Sequence, residues 1–105
     1  MYEDGFLTFE VYDGEMDELD NKNYPVELEG LYLKIENGRL IQIQTLRLHY
    51  DYDDTLDIAN CLSKLLRKGM IEIIWGAENI VNSRRIVVEP NKVIEYTLDW
   101  KEKVS

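Results

Sequence analysis

The segment Asp53–Gly69, DDTLDIANCLSKLLRKG, decides the fold, because it is the only strong helix pattern in the chain. At about 100° per residue, Leu56, Ile58, Ala59, Cys61, Leu62, Leu65 and Leu66 fall on one broad arc. Asp57, Asn60, Lys64, Arg67 and Lys68 take the other side. Asp53 or Asp54 suits the N-terminal cap and Asp57 the positive end of the dipole. Lys64, Arg67 and Lys68 suit the C-terminal end, and Gly69 the left-handed stop. The remaining segments read as β-strand, so one helix must cover a sheet.

Working outward, Phe6–Tyr12 alternates, with Leu7, Phe9 and Val11 on one side and Phe6, Thr8, Glu10 and Tyr12 on the other. Asp13–Pro25 reads as an acidic loop with one helical turn around Glu15–Leu19. Val26–Ile35 reads as a strand whose phase changes at Gly30, where a bulge would re-aim the side chains. Asn37-Gly38 marks a turn. A three-residue loop, Glu36–Gly38, pairs Leu33 with Ile41 and Leu31 with Ile43, keeping apolar residues on one face. A strand then follows from Arg39 to about Tyr50, with a second bulge near Gln44–Thr45. After the helix come a strand over Met70–Trp75, a loop over Gly76–Ser83, and a hairpin of Arg84–Glu89 with Val93–Trp100. A three-residue turn there pairs Val88 with Ile94 and Ile86 with Tyr96, and Leu98 and Trp100 continue that face. The expectation is a single α+β domain over residues 1–105, in the order β-β-β-α-β-β-β. Its sheet is mostly antiparallel, with one helix packed on one face.

Composition supports this. An apolar fraction of 45% in 105 residues is enough for one core, so the acidity is not a sign of disorder. The lone cysteine, Cys61, reads as a small apolar residue and suits a reducing compartment. No apolar run reaches a membrane span, and the N-terminal residues lack the pattern of a signal peptide. A cytoplasmic location with no membrane contact is the expectation.

Charge is distributed unevenly. The net charge is −9. Within residues 1–30, Glu3, Asp4, Glu10, Asp13, Glu15, Asp17, Glu18, Asp20, Glu27 and Glu29 stand against Lys22 alone, and the rest of the chain is balanced. Direct nucleic-acid binding is therefore disfavoured, since phosphate contact needs the reverse balance.

Asp51-Tyr52-Asp53-Asp54-Thr55-Leu56 follows a strand-like run and opens the helix. It resembles the first motif of haloacid-dehalogenase-type phosphatases, Asp-x-Asp-x-Thr. The resemblance implies Asp51 as nucleophile and Asp53 as general acid/base, both beside Mg²⁺. It covers six residues, with Asp54 where that family has glycine, and it needs a parallel sheet that one helix cannot build. Acidic capping accounts for the same residues. The carboxylates at 13, 15, 17, 18 and 20 lack the central glycine and closing glutamate of a Ca²⁺ loop. His49 and Cys61 lack further ligands for zinc. No catalytic residue, metal or cofactor is expected.

Recognition is the remaining class. Seven tyrosines are many for this length, and Tyr12, Tyr24 and Tyr32 lie in or near the acidic third. Tyrosine among carboxylates suits a basic protein partner. The leading expectation is a non-catalytic inhibitor of the immunity-protein, antitoxin or phage-antagonist type, covering the basic surface of a toxin or nuclease-like target. Its contact residues would be Glu10, Tyr12, Asp13, Glu15, Asp17, Glu18, Asp20 and Tyr24. The alternative is a structural subunit or homodimer joined through the open sheet face, carrying Tyr32, Val93, Thr97 and Phe6.

Overall fold

A computed structural model of the chain describes residues 4–77 and 83–97. It is an α+β protein. Its elements are β1 (Asp4–Met16), a short 3-10 turn (Val26–Leu28), β2 (Leu31–Glu36), β3 (Arg39–Thr45), the two-residue β4 (Tyr50–Asp51), α1 (Tyr52–Leu65), β5 (Leu66–Ala77), β6 (Arg84–Glu89) and β7 (Lys92–Thr97). The sheet runs β2-β3-β1-β5-β6-β7, with β4 also paired to β1. Every pairing among the described residues is antiparallel. No helix among them is long and apolar enough to cross a membrane.

The helix covers one face. Ile58, Ala59 and Leu62 are buried on it, and they meet Leu7, Leu40, Ile43, Ile71, Ile73, Trp75, Ile86 and Val88 of the sheet. Two small polar residues, Thr55 and Ser63, complete the inward face. Each returns its hydroxyl proton to the helix backbone, Thr55 to the Asp51 carbonyl at 2.8 Å and Ser63 to the Asn60 carbonyl at 2.8 Å. Burial therefore leaves neither donor unsatisfied.

Both helix ends differ from the sequence expectation. Asp51 is the N-cap, its carboxylate accepting from the Asp54 amide at 2.7 Å, and Asp53 and Asp54 lie in the first turn. At the other end the helix stops at Leu65 and the chain passes directly into β5. Helix propensity favours continuing through Arg67 and Lys68, but pairing with β1 across Met16↔Leu66 and Glu15↔Lys68 prevails. The Ser63 carbonyl, in the last helical turn, is satisfied from outside the helix by the Asn91 amide of the β6–β7 turn at 2.8 Å. Gly69 is thus a strand residue. Its φ of 91° faces the bulge in β1, where Asp13 has φ 51°.

Both hairpins use two-residue turns. Asn37-Gly38 has positive φ at both positions, the type I′ pattern, and joins Glu36 to Arg39. The apolar faces are then matched by a bulge at Ile41, which restores Leu33↔Ile43. This replaces the three-residue loop and Leu33–Ile41 pairing expected from the pattern. In the second hairpin Glu89 pairs with Lys92, Val88 with Val93 and Ile86 with Glu95. Val93 therefore lies on the helix side and Ile94 and Tyr96 on the open side, the reverse of the expected register. Val93 and Thr97 leave the set proposed for the open face, whereas Phe6 and Tyr32 remain on it.

Three further expectations change. β1 continues through Met16 where a helical turn was expected. Val26–Leu28 is a 3-10 turn and not the start of a strand. The chain leaves the sheet after Thr45, so Leu46 and Leu48 are exposed without a second bulge. The loop expected over 76–83 and the continuation through Leu98 and Trp100 lie wholly or partly outside the described residues.

Candidate partner-binding surface

The eight residues expected to contact a partner fall into distinct environments. Glu10 and Tyr12 are exposed on the open face, opposite Glu72 and Met70 of β5. Glu72 is already paired with Arg85 at 2.6 Å, and Glu10 has no ion pair among the described residues. Tyr24 is half-buried, and its hydroxyl donates to the Leu31 carbonyl at 2.8 Å. Burial, with a smaller contribution from Cys61, raises its pKa.

Three of the expected carboxylates are engaged within the chain. Asp13 lies 3.9 Å from Arg39, Glu15 3.9 Å from Lys68, and Asp17 3.2 Å from Arg67. The bulge at Asp13 and the strand junction after the helix bring these cations to the end of β1. Sequence position alone gives no sign of that meeting. All three pairs are well exposed, so each contributes at most about 1 kcal/mol. Asp20 organises its own turn, accepting from the amides of Lys22 and Asn23 at 3.0 and 2.8 Å. Of the six carboxylates, only Glu10 and Glu18 are without such a partner among the described residues. The early acidic segment is therefore partly neutralised by the chain itself.

A second acidic feature is concave. A cleft of about 280 Å³ opens between the 3-10 turn and the first half of α1. Its walls carry Glu27 and Glu29 from the turn, Asp54 and Asp57 from the helix, and Arg47 from the segment after β3. The base is Tyr50, which is buried and donates its hydroxyl to the Gly30 carbonyl at 2.6 Å. Arg47 is committed locally. Its guanidinium lies over the Tyr50 ring at 4.3 Å and pairs with Asp54 at 3.5 Å. Glu27, Glu29 and Asp57 have no ion pair among the described residues. Glu27 is close enough to Cys61 to add to the upward pKa shift that burial causes there. Burial and Glu27 both oppose thiolate formation there, and Lys64 acts more weakly in the other direction.

The same region exposes aliphatic side chains. Val26, on the cleft wall, is 70% exposed. Leu46 and Leu48, on either side of Arg47, are 64% and 71% exposed. Unbalanced carboxylates beside exposed aliphatics combine the electrostatic and apolar parts of a protein interface. Reading the sequence missed this site because Glu27 and Glu29 approach Asp57 only through tertiary packing. The signal available was the i, i+3 spacing of Asp54 and Asp57, which puts both on one helix face.

Asp51 lies opposite Asp4 of β1 and caps the Asp54 amide, and Asp53 lies exposed in the first helical turn. No group of three or more metal-ligating side chains occurs among the described residues. The antiparallel sheet is also unlike the parallel sheet that the phosphatase resemblance requires. No protein-family model, curated protein or solved structure matches the chain.

Proposed function

We propose that this protein is a non-catalytic inhibitor of the immunity-protein, antitoxin or phage-antagonist type, acting by covering a basic surface on a toxin or nuclease-like partner. The observation that supports it is the cleft in which Glu27, Glu29 and Asp57 have no ion pair among the described residues while Arg47 is held by Tyr50 and Asp54. A protein that grips phosphates must present positive charge. Carboxylates around a cleft occupy such a surface and accelerate encounter by long-range attraction. The exposed Val26, Leu46 and Leu48 supply the apolar contact that slows dissociation once the charges have met. Glu10, on the open sheet face, and Glu18, beside the β2 edge, lie outside the cleft and add to the net negative charge.

The test is capture on the immobilised chain, followed by an activity assay on whatever nuclease is retained. The expected partner is basic, elutes at high salt and stops cleaving nucleic acid when the chain is added. Replacing Glu27, Glu29 and Asp57 together by lysine should abolish both capture and inhibition. Undiminished inhibition by that variant overturns the proposal.

A second reading, a homo-oligomerising subunit, is favoured by the exposed aromatics Phe6, Tyr12, Tyr32 and Tyr96 on the sheet face opposite the helix. Sedimentation distinguishes it. A dimer whose mass is insensitive to salt supports this reading, and a monomer supports the inhibitor.

A further inference from the structure

The sheet ends at β2, and that edge carries unused main-chain groups. Glu36 and Arg39 flank a two-residue turn, so they form a hydrogen-bonded pair. Alternation along β2 then turns the N–H and C=O of Leu31, Leu33 and Ile35 away from β3. The Leu31 carbonyl is taken by the Tyr24 hydroxyl. The outward groups of Leu33 and Ile35 have no partner among the described residues. Beside them lies a groove of about 220 Å³, lined by Tyr32–Glu36 on one side and by Glu18, Leu19 and Tyr24 on the other. The strand edge is thus one wall of a channel, and the Tyr24–Leu31 bond closes one end.

We propose that this groove receives an extended basic segment of the partner, which adds to β2 as a further strand. The inference rests on the basic-partner reading above and names how part of that partner is held. Main-chain bonds to Leu33 and Ile35 supply affinity that does not depend on side-chain sequence, the usual basis of strand addition. Apolar side chains of the segment rest on Leu19 and Tyr24, which both pack on the core. Basic side chains meet Glu18 and Glu36, neither of which has an ion pair among the described residues. Among the described residues, these two carboxylates outnumber the one cation lining the groove, Lys34. A second copy of this chain is the poorer occupant, because it would bring its own Glu18 and Glu36 against the same carboxylates.

The probe is a capped lysine-valine-arginine-valine-lysine pentapeptide, titrated into the ¹⁵N-labelled chain. The largest amide shifts are expected at Leu33 and Ile35, with slowed hydrogen exchange at both. The same peptide N-methylated at its valines should leave both amides unprotected. Glu18→Lys combined with Glu36→Lys should weaken binding by about tenfold or more. Shifts confined to Glu27, Glu29 and Asp57 overturn the groove and leave the basic-partner reading standing. Equal protection of Leu33 and Ile35 by a glutamate-valine-glutamate-valine-glutamate peptide overturns the basic occupant of the groove, whereas the basic-partner reading falls only if the lysine variant of Glu27, Glu29 and Asp57 still inhibits. Absence of any shift at millimolar peptide overturns the groove.

Discussion

Replacing Gly69 by alanine should destabilise the protein by about 3 kcal/mol, combining a left-handed backbone with an overlap that cannot relax. At φ 91° an L side chain costs about 1–2 kcal/mol relative to glycine. The added carbon would also lie 2.6 Å from the Tyr12 carbonyl oxygen and overlap the Asp13 carbonyl. These atoms belong to β1 where it pairs with β5, so relief requires opening the ladder, at about 1–3 kcal/mol. Gly38→Ala is the internal control. Its φ is 78°, but the nearest atom to the added carbon is the Arg67 guanidinium Nη2 at 3.1 Å, the mobile end of a long side chain. It should cost only the conformational part, about 1–2 kcal/mol. Urea titrations of both variants give the comparison, read as a midpoint shift at constant m. Equal destabilisation of the two would show that the β1 carbonyls do not confine position 69, the outcome expected if Gly69 were an ordinary helix stop.

Two further outcomes follow from the helix and its neighbours. Asp51→Asn should change stability by only a few tenths of a kcal/mol and Asp51→Ala should cost about 1 kcal/mol, since asparagine caps as well as aspartate. Hydrolysis of p-nitrophenyl phosphate with Mg²⁺ that disappears in Asp51→Asn would instead support the phosphatase resemblance. Tyr52 donates its hydroxyl to Glu95 at 2.6 Å, and burial, then that hydrogen bond, raises its pKa well above the ordinary 10.0. The unfolded chain therefore loses this proton first, so the contribution is complete below pH 10 and is lost as pH rises beyond it. Urea midpoints of the parent should fall between pH 9 and pH 11, and Tyr52→Phe should flatten that fall. Tyr24 and Cys61, both raised, tilt the profile in the same direction.

The class of fold is legible in the residue pattern alone. One amphipathic segment and several alternating ones leave few arrangements other than a helix on an antiparallel sheet, because each apolar face must find cover. The charge imbalance is legible there too, since it is a matter of counting. Where elements end was decided by tertiary pairing. Leu66, Arg67 and Lys68 are good helix formers, yet they are strand because Met16 and Glu15 are there to pair with them. Hairpin register was settled in the same way. Asn37-Gly38 prefers a type I′ turn strongly enough that the chain corrects its faces with a bulge at Ile41, which no alternation rule locates. The acidic surface shows the same division. Sequence shows that residues 1–30 are negative, but only folding brings Arg39, Arg67 and Lys68 against Asp13, Asp17 and Glu15 and leaves Glu27, Glu29 and Asp57 without an ion pair among the described residues. Charge is a property of each residue, whereas its compensation depends on distance, and distance between residues far apart in the chain exists only once the sheet has formed.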